Sequence, residues 1–232
     1  MSKERKIAII VGVLYLTGNI IGPIGFSFEL PILDAPDFLA NIAANETKWL
    51  LGILLQVVLG VSVVGIGIMM YPILKKYNPF TAIGYVTARI FEGVIDAIGI
   101  ILVLTLLSLS QEYIAAGSPV DSFYQTIGNL LLEARGWAGH VILDVAVFHI
   151  GTLFFYLLLY KTKLVPRWLS GVGLVTVVMS WAAGFLVMFD AIVPLSAPHI
   201  ALQAPVGIQE LVFALWLIVK GFNPAVISPE EA

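Results

Sequence analysis

Residues 81–109 read TAIGYVTARIFEGVIDAIGIILVLTLLSL, an apolar stretch whose only charged residues are Arg89, Glu92 and Asp96. A helix of about 20 apolar residues crosses the hydrocarbon of a bilayer, and this stretch is longer. An ionised side chain at mid-membrane costs about 2.5–3.5 kcal/mol even on lenient insertion scales. Three in one stretch therefore mark a place where the chain has a use for charge.

Working outward, Ile7–Phe28, Trp49–Leu74, Gly139–Tyr160, Trp168–Phe189 and Val206–Phe222 are runs of the same kind, making six with Thr81–Leu109. The chain is 59% hydrophobic and 12% charged, with a mean hydropathy of +0.99. Soluble domains carry about a quarter charged residues, so this is a bilayer composition. The basic N-terminus (Lys3, Arg5, Lys6) precedes a run too long for a signal-peptide core, so it reads as a retained first span. The reading is an all-α, polytopic membrane bundle of six transmembrane helices in one domain, 1–232.

The connections alternate in charge. Lys3, Arg5, Lys6, Lys75, Lys76, Lys161, Lys163, Arg167 and Lys220 fall on one side, and only Lys48 and Arg135 on the other. The second side carries Glu29, Asp34, Asp37, Glu46, Glu112, Asp121, Glu133 and Asp190. The positive-inside rule then puts both termini in the cytoplasm. Two outer segments are more than loops. Pro36–Glu46 is mildly apolar but too short to cross. Asp121–Ala134 sets Phe123, Ile127, Leu130 and Leu131 at helical spacing. That spacing predicts a short amphipathic helix, either lying on the outer surface or capping the bundle against protein. Pro23 is placed to kink or end span one. Glycines in spans two and five read as close helix contacts.

With about 100° per residue, Tyr85, Arg89, Glu92 and Asp96 share an arc of about 60° on span three. Span four adds His140, Asp144 and His149, span six Gln209 and Glu210, span two Gln56, and span one Tyr15, Thr17 and Asn19. At about 1.5 Å of rise per residue, depth sorts them into two tiers. Arg89, Glu92 and Glu210 form the inner tier. Asp96, Asp144 and His140 form the outer one, joined by His199 from the last outer loop. The interior acids (Glu92, Asp96, Asp144, Glu210) outnumber Arg89 four to one. Protons, water or a bound cation must balance the remainder.

The inner tier reads either as a structural clasp holding three helices or as a substrate or proton site. His140 and Asp144 with His199 read as a satisfied interfacial cluster, or as a metal or proton site. No metal-binding spacing such as HExxH is present, so no metal is assigned. His149 reads as an interhelical hydrogen-bond donor, since haem ligation needs a second histidine at its depth. The absence of cysteine excludes thiolate chemistry. A formal charge of −3 without basic clusters excludes nucleic acid as a partner. No cofactor is implied.

Arg89-Ile-Phe-Glu92, Pro166-Arg167-Trp168-Leu169-Ser170-Gly171, Glu210 with Leu215-Trp216-Leu217-Ile218-Val219-Lys220-Gly221, and Gly12-Val13-Leu14-Tyr15-Leu16 together resemble the bacterial membrane family described as domain of unknown function 4386. The resemblance implies a six-span protein of the bacterial inner membrane with no assigned biochemical role. It carries over Arg89, Glu92 and Glu210, but not Asp96, His140, Asp144 or His149. Three functions remain open. First in order is a bundle that binds or transports a small solute or proton. Next comes a non-catalytic sensor or assembly partner whose polar cluster is structural. Third is an intramembrane metal-dependent hydrolase, so an enzyme is the less favoured class. The bilayer is the one partner the composition names, and the sequence leaves the oligomeric state open.

Overall fold

The computed structural model describes residues 1–119 and 123–227. Asp121, the first residue of the amphipathic stretch and one of the outer acids, lies outside them. The described residues are helical and contain no strand. In chain order they form α1 (Lys3–Leu33), α2 (Phe38–Ala44), α3 (Glu46–Leu74), α4 (Pro79–Ala115), α5 (Phe123–Gly136), a π-helical segment π1 (Trp137–Val147), α6 (Phe148–Thr162), α7 (Arg167–Met188), α8 (Ala197–Val219) and α9 (Pro224–Ile227). Six stretches are long and apolar enough to cross a membrane, the fourth being Phe123–Thr162 as one piece.

Local chemistry sets the helix starts. The Ser2 side chain accepts from Arg5 N, Asp37 from Ala40 N, and Asn78 from Thr81 N with Pro79 in the first turn. These caps satisfy backbone donors that have no partner inside the helix. Gly221, at φ +74°, follows the end of α8. Pro23 does not end the first span: α1 runs through it and through Pro31 to Leu33.

The long helices form a ring. α1 packs on α3, α3 on α4, α4 on α6 and π1, α6 on α7, α7 on α8, and α8 returns to α1. The start of α1, α9 and the α3–α4 and α6–α7 turns share one end. There Arg5 donates to the Leu217 and Ile218 carbonyls, Lys76 pairs with Glu4 at 3.1 Å, and Tyr77 OH donates to Val226 O. The outward faces are apolar, with Val61, Ile101, Val175 and Ile208 all more than half exposed, as side chains facing lipid are.

The ring's interior differs between its halves. Toward the terminal end it is packed solid around Tyr85, Phe155, Tyr156 and Phe213, with Tyr85 stacked on Phe155 at 4.3 Å. At the far end a second core, including Ile32, Leu39, Trp49 and Leu106, joins α1–α4 and leaves the centre free.

The amphipathic stretch is a helix, but not a separate one. α5 continues without a loop into π1 and α6. Its Tyr124, Leu131 and Leu132 pack on the far-end core, while Phe123, Ile127 and Leu130 face outward. It is so close to α2 that a Cβ on Gly128 would come within 2.9 Å of the Phe38 ring. The helix thus caps the bundle against protein on one face and leaves an apolar face exposed on the other.

Candidate functional site

Arg89 is the hub. It is 3% exposed on α4, and α3 approaches it so closely that a Cβ on Gly67 would lie 2.9 Å from Arg89 Cβ. The tight packing leaves the side chain one direction, into the ring. There Nη1 donates to Glu92 Oε2 at 2.9 Å, Nε to Tyr85 OH at 3.1 Å, and Nη2 to Tyr15 OH at 2.9 Å. Nη2 also lies 3.6 Å from Glu210 Oε1. Asn19 Nδ2 donates to Glu210 Oε2 at 3.0 Å. The inner tier of Arg89, Glu92 and Glu210 is therefore assembled, with Tyr85 in it and with Tyr15 and Asn19 as further members from α1.

This cluster forms the floor of a cavity of about 240 Å³ bordered by Tyr15, Asn19, Arg89, Glu92 and Glu210. Among the described residues, Glu210 Oε1 has no hydrogen-bond donor. Pro23, Phe26 and Leu59 also border a second cavity of about 570 Å³, nearer the far end. That larger cavity, the vestibule, has mostly apolar walls with Gln56, Asp96, Arg135 and His140 set into them.

Of the outer tier, His140, Asp144 and His199 come together and Asp96 is not among them. Asp96 and His140 border the vestibule, but Asp144 turns toward α7 and α8. Gln203 Nε2 donates to Asp144 Oδ2 at 2.7 Å and Ser180 OH donates to Gln203 Oε1. The cause is π1, whose wider turn re-aims side chains that α-helical geometry would stack. Among the described residues Asp96 has no salt-bridge partner.

His140, Asp144 and His199 do converge, their ligand atoms lying within 4.8 Å of one another. Tetrahedral zinc at its usual bond lengths needs ligand atoms about 3.4 Å apart. His199 Nδ1 accepts from Leu195 N at 3.3 Å, which leaves its proton on Nε2. A ligating histidine does the opposite, donating from the nitrogen that faces away from the metal. The trio therefore fits zinc poorly as it stands, and among the described residues no hydrogen bond joins the three and His199 Nε2 is buried without a partner. His149 donates from Nδ1 to Asp144 O within its own segment, rather than to another helix, and stacks at 6.4 Å on Trp181.

A second charge pair departs from the loop assignment of Glu29 and Arg135. Glu29, 1% exposed on α1, lies 2.7 Å from Arg135 Nη2 of α5. Gln56 bridges them, accepting from Arg135 at 3.2 Å and donating to Glu29 Oε1. The signal for it was faint: each charge abuts the outer end of an apolar run. Adding one acid and one base leaves the interior count at five acids (Glu29, Glu92, Asp96, Asp144, Glu210) against two bases (Arg89, Arg135). The surplus of three carboxylates is unchanged.

The family described as Domain of unknown function (DUF4386) matches residues 10–221. No curated protein matches the chain, and no solved structure matches it.

Proposed function

The chain belongs to the DUF4386 family, whose description names no activity, and from its interior we propose a membrane bundle that binds or passes a small cationic solute or a proton. The far-end vestibule is its entrance and Arg89, Glu92 and Glu210 are its floor. The reading includes both termini in the cytoplasm of a bacterium, the vestibule facing outward across the cytoplasmic membrane, and Asp96 as the free carboxylate on the route. The observation that carries it is the asymmetry of the ring. Glu92, Glu210 and Asp96 border two adjoining cavities in the far half, three acids against Arg89 and Arg135, while aromatic packing closes the terminal half. A surplus of acid along such a route attracts cations and protons and repels anions.

The absence of cysteine gives a clean test. Gly99 and Gly139 border the vestibule, and a Cβ at either meets nothing within 4 Å. Gly99→Cys and Gly139→Cys are expected to react with water-soluble methanethiosulfonates in membranes, and outward-facing Val175→Cys is not. Relative to an exposed cysteine control, the cationic reagent should outpace the anionic one about tenfold at Gly99→Cys, and Asp96→Asn should reduce that preference. Unreactive vestibule cysteines would overturn the reading.

A further inference from the structure

At the terminal end, the α6–α7 turn and the segment leaving α8 enclose a separate cavity of about 630 Å³. Lys163, Arg167 and Lys220 border it, and no acid is among the residues that do. None of the three has a salt-bridge partner among the described residues. The walls are tied together: Asn223 N donates to Leu164 O at 2.8 Å and Asn223 Nδ2 to Lys163 O at 3.3 Å. Arg167 is anchored over the Tyr160 ring at 5.3 Å and also begins α7. Pro166, the cap of that helix, makes no side-chain hydrogen bond to it, so the α7 amino end adds its positive dipole to the three cations. Three like charges around one space, exposed to solvent, make it attractive to an anion.

The surroundings select the kind of anion. Trp216 borders the cavity and meets Trp168 edge to face at 6.2 Å. Aromatic side chains of this kind mark the level of lipid headgroups. One and two turns farther along α7 from Trp168 come Val172 and Val175, and along α8 from Trp216 come Val212 and Ile208, all exposed. The cationic cavity thus opens at the base of an apolar seam that runs toward the middle of the bundle. We infer that this is a binding site for an anionic phospholipid, its phosphate held among Lys163, Arg167 and Lys220 and an acyl chain lying along the α7–α8 seam. Basic pockets between membrane helices bind such headgroups.

The test uses full-length protein in detergent, stripped of lipid, with bound lipid counted by native mass spectrometry and stability followed by thermal unfolding. Phosphatidylglycerol is expected to bind and raise the melting temperature, with phosphatidylcholine and inorganic phosphate doing neither. A basic residue near a charged headgroup contributes roughly fivefold in affinity. Each of Lys163→Gln, Arg167→Gln and Lys220→Gln should therefore weaken phosphatidylglycerol binding about fivefold, and the triple variant about a hundredfold. Lys220→Arg should retain it. The single variants keep the test open if the triple variant does not fold. Equal binding of phosphatidylcholine, an equal shift with inorganic phosphate alone, or undiminished affinity in the single variants would each overturn the inference.

Discussion

At the residue scale, Arg89 carries more than one job. Its guanidinium holds Glu92, Tyr85 and Tyr15 at once and sits near Glu210, which a point charge cannot reproduce. Removing one partner of a buried pair costs about 3–5 kcal/mol because the other charge is stranded. Arg89→Ala should lose that much in thermal or denaturant unfolding in detergent, and Arg89→Lys clearly less. Glu210→Gln separates clasp from site. It keeps an oxygen for Asn19 but turns an NH2 toward Arg89 Nη2, so it should cost about 1–3 kcal/mol, less than Arg89→Ala, yet it removes a floor carboxylate and should abolish solute or proton uptake in vesicles. A large stability loss with uptake intact would favour the clasp. Sequence depth alone brought Arg89, Glu92 and Glu210 together, because rise per residue fixes level in straight helices. It missed the Glu29–Arg135 pair because both charges sit where a run of apolar residues ends, and hydropathy gives no sign that such a residue turns inward. Arg135→Ala should strand Glu29 at a similar cost of about 3–5 kcal/mol, and adding Glu29→Gln should recover most of it.

At the element scale, π1 is the feature that sequence periodicity cannot express. Hydrophobic pattern distinguishes a helix from a strand, but it carries no sign of a turn that widens. Trp181 Nε1 of α7 donates to Val145 O at 2.8 Å, and His149 Nδ1 donates to Asp144 O. Both bonds tie side chains to carbonyls within the widened segment. α-Helical geometry through this segment places Asp144 with Asp96, whereas in the fold it meets Gln203. Trp181→Phe keeps the ring and leaves the Val145 carbonyl without its donor, at a cost of about 1–3 kcal/mol. Amide exchange should rise within residues 141–147 and stay unchanged in α3. A π1 protected equally in both proteins would show that Trp181 does not hold the widened turn.

At the scale of the whole molecule, the ring gives the charge asymmetry a consequence. Lys3, Arg5, Lys6, Lys75, Lys76, Lys161, Lys163, Arg167 and Lys220 all belong to the closed end, where the aromatic plug lies. Of the two basic residues assigned to the far end, Arg135 is occupied with Glu29, which leaves Lys48. Positive charge resists translocation, and on that ground the proposed reading sets the plugged end in the cytoplasm and the vestibule outside. A solute would then arrive from the external face, first meet Asp96 and His140, and reach Glu92 and Glu210 last. Green fluorescent protein fused after Ala232 should fluoresce, alkaline phosphatase fused there should be inactive, and phosphatase joined after Asp190 in the α7–α8 connection should be active. The opposite pattern would turn the molecule over. Access to Asp96 would then be cytoplasmic, and the bundle would release or sense a solute where uptake is argued.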